Sequence, residues 1–206
     1  MRQHLRAADF QGLAALAGED QRVAETLMQH LYDAGDLLYW RALEGLGQVA
    51  RAHPRRVRRL IGRLLWLLNE DSGSFGWGAA AALGEIARHR LSLVEDIIPM
   101  FCGFLEEPFS RGPMLWGIGR LAGVHPETLW EVAPFIVPCL RDADPQVRGL
   151  AAWCAGRLKI AAARQQLAAL LGDAGAVCYY DEGVLRDATV GELARQALAA
   201  LGPEES

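Results

Sequence analysis

The chain lacks any uncharged run of about eighteen residues or more, the least that a bilayer-spanning helix needs, and its opening MRQHLR leads into no signal-peptide core. Those absences point to a cytoplasmic protein with no membrane partner. No Cys-x-x-Cys pair occurs either. Cys102, Cys139, Cys154 and Cys178 stand singly in apolar or strand-like surroundings, which suits free buried thiols better than disulfides or zinc ligands. A phosphate-binding glycine loop, a Gly-x-Ser-x-Gly elbow and an HExxH helix are all missing, so no catalytic residue, cofactor or metal is assigned. Basic charge is not in excess: 21 Lys and Arg stand against 25 Asp and Glu, a net charge of −4. Phosphate contacts usually leave a basic surplus on a nucleic-acid binder, so this balance argues against that class. Lys159 is the only lysine, a bias that carries no functional message by itself. With no Ser/Gly/Pro-rich linker, the 206 residues read as one domain.

What is present is a recurring helical signature, clearest at residues 144–158, DPQVRGLAAWCAGRL. Asp144 can accept from the free amides of a first turn, Pro145 suits the first helical position, and Val147, Leu150, Ala151, Cys154, Ala155 and Leu158 recur along one side. Arg148 lies four residues after Asp144, where the two can pair. The small pair Ala155-Gly156 has counterparts at Leu46-Gly47, Leu83-Gly84, Leu121-Ala122 and Leu198-Ala199, in steps of 37, 38, 34 and 43 residues. That spacing suits stacked helical hairpins, none of which can bury its apolar face alone.

The stretch resembles the first helix of a HEAT repeat in its bacterial, PBS lyase HEAT-like form, where a turn aspartate, Val-Arg, an Ala-rich run and a late small pair recur. The resemblance implies an all-α, right-handed α-solenoid whose second helices line a concave surface, and a non-enzymatic scaffold that binds another protein. Arg148 is matched by Tyr39, Gly76, Met114 and Gly191, so the aspartate–arginine ladder of that family is mostly missing here.

The expected layout is a capping helix pair within 1–36 (helices over 7–17 and 21–34), four repeats over 37–174, a β-hairpin over 175–188 and a C-terminal helix over 189–202. First helices fall at 37–50, 77–87 and 114–124, second helices at 54–68, 91–105 and 126–140, and the fourth repeat runs from 145 to 171. Residues 106–113, EEPFSRGP, separate the second hairpin from the third. Pro99 and Pro134 occupy equivalent points of second helices, where proline bends a helix or makes it start afresh. Asp181, Glu182 and Gly183 form a three-residue turn between strands over 176–180 and 184–186, an insertion that either carries something specific or lids the last helices. Thr189 and Glu192 have the spacing of a capping box. Gly45, Gly78, Gly117, Gly119 and Gly149 each cost about 1 kcal/mol against alanine inside a helix, which close approach of neighbouring helices would offset.

His53, His89 and His125 fall between the two helices of successive repeats. Helices about 8–10 Å apart cannot bring all three within about 2.1 Å of one zinc ion. The sharpest charge feature lies between Glu44 and Glu70, a span without acids that contains Arg51, Arg55, Arg56, Arg58, Arg59 and Arg63. Arg55, Arg59 and Arg63 share a helix face with Arg56 beside them. Such a stripe can receive an acidic protein surface, a phosphate or a nucleic-acid backbone. It can equally be a solvated face paired with Asp33, Asp36 or Glu95.

Trp40 and Trp77 occupy equivalent positions with Trp116 one residue beyond, while Trp66, Trp130 and Trp153 read as core or inter-repeat packing. An aromatic row beside a basic stripe can stack bases, and some HEAT-like proteins are alkylpurine DNA glycosylases that use tryptophan and aspartate. A nucleic-acid binder or glycosylase is therefore the alternative function, with core packing the competing reading of the tryptophans. The repeat's name, from phycobilin lyases, implies a tetrapyrrole role that no chain-wide feature supports. The candidate partner-binding residues are Arg55, Arg56, Arg59, Arg63, Trp40 and Trp77, and the expected partner is another protein with an acidic surface.

Overall fold

The computed structural model describes residues 1–69, 77–181 and 183–203, apart from the Trp77 side chain. Among these residues everything regular is helical except one two-stranded antiparallel sheet. The chain divides into two compact units, Met1–Ile97 and Ile98–Ser206.

The first unit opens with three short helices, α1 (Arg2–Arg6), α2 (Phe10–Glu19) and α3 (Val23–Met28), where two longer ones were expected. The reason is local. Ala8 adopts φ 52°, and the Asp9 side chain accepts from the Gly12 amide, which starts a new helix after the break. Beyond Met28 the chain turns, with Asp33 accepting from the Gly35 amide and Asp36 from that of Leu38. Asp36 thereby caps α4 (Leu37–Ala52), which is followed by α5 (Pro54–Asn69) and α6 (Trp77–His89). Helices α4 and α6 pack flank to flank, and Ala79 through Leu83, Ile86 and Ala87 of α6 are buried. Helix α5 packs across both, and α2 and α3 cover α4.

The expected continuous helix over 91–105 is broken. Two 3-10 turns, Leu91–Leu93 and Glu95–Met100, come first; the second contains Pro99, which has no amide to donate, and α7 (Phe101–Glu106) starts after it. The next helix, α8 (Pro108–Ala122), begins within the stretch expected to be a separator and runs through Pro113. Pro108 sits where no amide is needed, and Pro113 forfeits a single backbone bond close to the N-terminus. Ser110 Oγ donates to the Phe104 carbonyl and Arg111 Nε to that of Leu105, both at 2.7 Å, so the end of α7 is satisfied by side chains of α8.

After a 3-10 turn at Pro126–Leu129, α9 (Ala133–Cys139) restarts at Pro134, and α10 (Pro145–Arg157), a 3-10 turn at Ala161–Ala163 and α11 (Arg164–Ala169) follow. The Asp144–Arg148 pair does not form. Asp144 is occupied as a cap on the Gln146 amide, and Arg148 instead bonds Asp173 and the carbonyls of Asp142 and Ala143.

The hairpin consists of β1 (Ala176–Asp181) and β2 (Val184–Thr189), paired from Ala176 with Thr189 to Asp181 with Val184. Asp181 is therefore a strand residue, and the loop shortens to Glu182, which lies outside the described residues, and Gly183 at φ 83°. Strand alternation turns Val177 and Tyr179 inward and Cys178 outward. Cys178 is thus exposed, against the expectation of buried thiols, while Cys139 and Cys154 are buried and Cys102 lies between. The hairpin is tied down by Trp116 Nε1 donating to the Tyr180 carbonyl at 2.7 Å and by the Gln146 amide, which both donates to and accepts from the Cys178 backbone. Thr189 and Glu192 form the expected capping box at the start of α12 (Val190–Leu201).

Helix α10 lies between α8 and α12, and Val147 and Leu150 through Gly156 are all buried. Glycine makes the approach to α12 possible: a Cβ on Gly156 would stand 2.7 Å from Ala197 Cα. Gly62 of α5, by contrast, has nothing within 4 Å of such a position. Alanine gains about 1 kcal/mol over glycine from helix propensity, whereas overpacking costs about 1–3 kcal/mol. Gly62→Ala should therefore raise the thermal midpoint and Gly156→Ala should lower it, as measured by circular dichroism melts of the two variants.

Candidate functional site

Helix α5 follows directly on His53, whose Nε2 lies 3.0 Å from the Ala14 carbonyl oxygen. Val57, Leu60, Ile61 and Leu64 recur at three- and four-residue steps and are buried, which fixes the helix's inner face. The outer face carries Arg55, Arg58, Arg59 and Arg63, all exposed. None of these four makes a hydrogen bond or ion pair within the described residues. Asp33 and Asp36, two of the acids considered as structural partners, are engaged with backbone amides instead.

Arg56 behaves differently. It is half-buried, and its Nη2 donates to the Gly18 carbonyl at 2.6 Å, tying α5 to the end of α2. It also lies close enough to Asp20 to add to the effect of Arg22, whose hydrogen bond holds that carboxyl below its ordinary range. Trp40 is buried, stands edge-on to Tyr39 with ring centroids 4.9 Å apart, and donates from Nε1 to the Ala34 carbonyl at 2.8 Å. It shows no ring face to a partner. Trp77 begins α6, but its side chain lies outside what the structure describes.

The arginine row ends at a groove of about 460 Å³ lined by Glu25, Met28, Tyr32, Arg63, Trp66 and neighbouring residues of α3, α5 and α6. Trp66 is 55% exposed and Tyr32 47%, so Trp66 is not the packing residue it was expected to be. Trp130, read the same way, is 71% exposed, whereas Trp153 is buried. Trp66 lies three residues beyond Arg63 and seven beyond Arg59, on the side of the helix that carries the row. That spacing was the available signal; the apolar run around Trp66 hid it.

His89 and His125 each have a local contact. His89 and Arg88 both reach Glu85 Oε1, at 3.1 and 3.0 Å, at the end of α6, and Glu85 is fully buried. His125 Nδ1 lies 3.3 Å from Glu127 Oε1. Among the described residues no group of three or more His, Cys, Asp or Glu side chains is placed to hold a metal ion, and no helix is long and apolar enough to cross a membrane. Sequence reasoning also missed a buried ionic cluster in the second unit, where Asp181 accepts from Arg120 and Arg157 at 2.9 Å each. Its signal was a lone arginine, Arg120, inside the apolar run WGIGRLA.

The family of HEAT-like repeats matches residues 108–158, from the first residue of α8 to just past the end of α10. This span of the chain is similar to a HEAT-like repeat. Over 99 residues the chain is 30% identical to an uncharacterized protein of Archaeoglobus fulgidus, an alignment that covers 48% of this chain and 53% of that protein. The chain thus spans about half the length of this relative. Both matches speak to architecture, and neither brings an activity, substrate or partner with it.

The placement of Trp40 predicts what its replacement does. Trp40→Phe removes the bond to Ala34 together with part of a buried ring system, so stability should fall by more than about 1 kcal/mol, the net contribution of one hydrogen bond. Binding of any partner at the α5 row should be unchanged, as read by a thermal melt beside a binding titration.

Proposed function

We propose that the chain is a helical-repeat scaffold that binds another protein through α5, taking an acidic segment of that partner along the arginine row. The observation that carries this reading is the exposed file Arg55, Arg59 and Arg63, which makes no ion pair within the described residues and leads to Trp66 and the groove beside it. Rising about 1.5 Å per residue, the row from Arg55 to Trp66 extends about 17 Å. A partner helix with carboxylates one turn apart matches it, and the groove beyond Arg63 suits an apolar side chain at the end of such a segment. Guanidinium groups offer carboxylates paired, directional donors. Because the row is solvated, its charges contribute more to the rate and specificity of association than to the stability of the fold.

The test uses a fluorescein-labelled helical peptide with glutamate at every fourth position and a terminal leucine, titrated by anisotropy. Combining Arg55→Glu, Arg59→Glu and Arg63→Glu should weaken binding at least about tenfold, or about 1.4 kcal/mol. The thermal midpoint should stay nearly constant, since exposed charges are worth about 0–1 kcal/mol each. Binding unchanged in the triple variant would contradict the proposal. Tighter binding of duplex DNA than of the peptide, falling steeply between 50 and 200 mM salt, would make the row a nucleic-acid surface instead.

A further inference from the structure

We infer that the second unit holds a separate binding site, a cationic pocket for a small organic anion, formed between α10, the β-hairpin and α12. The pocket has a volume of about 430 Å³, within the range of about 300–1,000 Å³ usual for small-molecule sites. Arg157 and Arg186 give it charge, Trp153 and Tyr179 an aromatic wall, and Gly156 and Ala197, packed against each other, also line it.

Its charge is not balanced from within. Asp181 is buried, with Oδ1 taken by Arg120 Nη1 and Oδ2 by Arg157 Nη2, both at 2.9 Å. Arg120, 1% exposed, is itself confined to the interior. Asp181 is thus engaged with Arg120 and Arg157, and among the described residues it makes no bond to Arg186. Arg186 sits opposite Tyr179 in the hairpin register and, among the described residues, makes no hydrogen bond or ion pair. Among the charged residues that line the pocket, two arginines, Arg157 and Arg186, stand against one acid, Asp181. A cationic excess gathered in one concave site favours an anion there more than isolated surface charges do.

The two arginines are suited to different tasks. Arg157 is fixed: its guanidinium lies 4.3 Å from the centroid of the Trp153 ring, and its Nη1 donates to the Gly119 carbonyl at 3.2 Å. Arg186 is exposed and uncommitted, free to close on a ligand. Burial first, and then the Asp181 carboxylate, push the Tyr179 hydroxyl above its ordinary range while Arg186 and Arg157 pull against them, so both cations act near a hydroxyl that stays protonated. An anionic group between Arg186 and Arg157 can accept from Tyr179, with Gln196 beside it, while an apolar body rests against Leu193 and Ala200. The apolar half of the lining is what calls for an organic anion instead of a bare inorganic one.

The experiment titrates phenyl phosphate into the protein by isotope-edited NMR, with inorganic phosphate and phenol as the two halves of the probe. Phenyl phosphate should bind saturably, with shifts centred on Tyr179, Arg186 and Gln196, and each half should bind at least about tenfold more weakly. Arg186→Gln should weaken binding about tenfold at an unchanged thermal midpoint, and Ala200→Trp, which fills the space, should abolish it. Absence of saturable binding, shifts centred on α5, or equal affinity in Arg186→Gln would overturn the inference.

Discussion

Close packing between the flanks of the long helices, α4 on α6 in the first unit and α8, α10 and α12 in the second, is the constraint on which everything else in each unit depends. In the second unit α10 is enclosed by α8 on one flank and α12 on the other, and glycine stands at both contacts. A Cβ on Gly119 would run into the Trp153 ring, and one on Gly156 into the α12 backbone at Ala197. In the first unit Gly47 of α4 faces the Glu85 carbonyl and the His89 ring of α6 in the same manner. Each such glycine gives up about 1 kcal/mol of helix propensity, and the van der Waals contact it permits along a whole helix outweighs that loss. Because these helices are spent on one another, outward surface in the first unit falls to α5, whose outer face carries the exposed arginines.

Arginine serves two opposite purposes on this scaffold. Where the chain turns, guanidinium groups gather backbone carbonyls: Arg41 reaches the carbonyls of Leu5 and Arg6, Arg56 that of Gly18, Arg111 those of Leu105 and Glu106, and Arg148 those of Asp142 and Ala143. Five donors in a rigid fork suit that work better than one ammonium would. Asp181 extends it to a buried cluster whose members are fully hydrogen-bonded, the condition under which burial of charge is tolerable. The exposed row on α5 has none of these attachments. The contrast between tied and untied arginines, more than their number, distinguishes the candidate surface from the structural ones.

The helical character was legible in the recurring small pairs, and at Gly47 and Gly156 the packing constraint acts directly. The bounds of α4 and α5, the capping box at Thr189 and the existence of the hairpin all follow from short-range chemistry that a sequence displays. Where proline was concerned, the outcome depended on position: Pro99 and Pro134 interrupted their helices as expected, but Pro113 lies near enough to a helix start to be absorbed, and the expected separator became part of α8. Arg148 left Asp144 for Asp173 because a capping carboxylate is already engaged, and the Asp173 partner lies 25 residues away. The arginine row was visible as a charge pattern, yet its separation from Arg56 was not, since only the fold brings the Gly18 carbonyl to that side chain. Trp40 and Trp66 exchanged roles for a similar reason: period alone marks both as helical aromatics, and burial depends on which neighbouring helices arrive.

Amide hydrogen exchange, followed residue by residue, tests most directly whether the flank-to-flank first helices form the core of each unit. The slowest amides should lie in α4 and α6 of the first unit and in α8 and α10 of the second, with the short helices α7, α9 and α11 exchanging measurably faster. Slowest exchange in α7, α9 or α11, or rapid exchange through the middle of α6 and α10, would contradict the account.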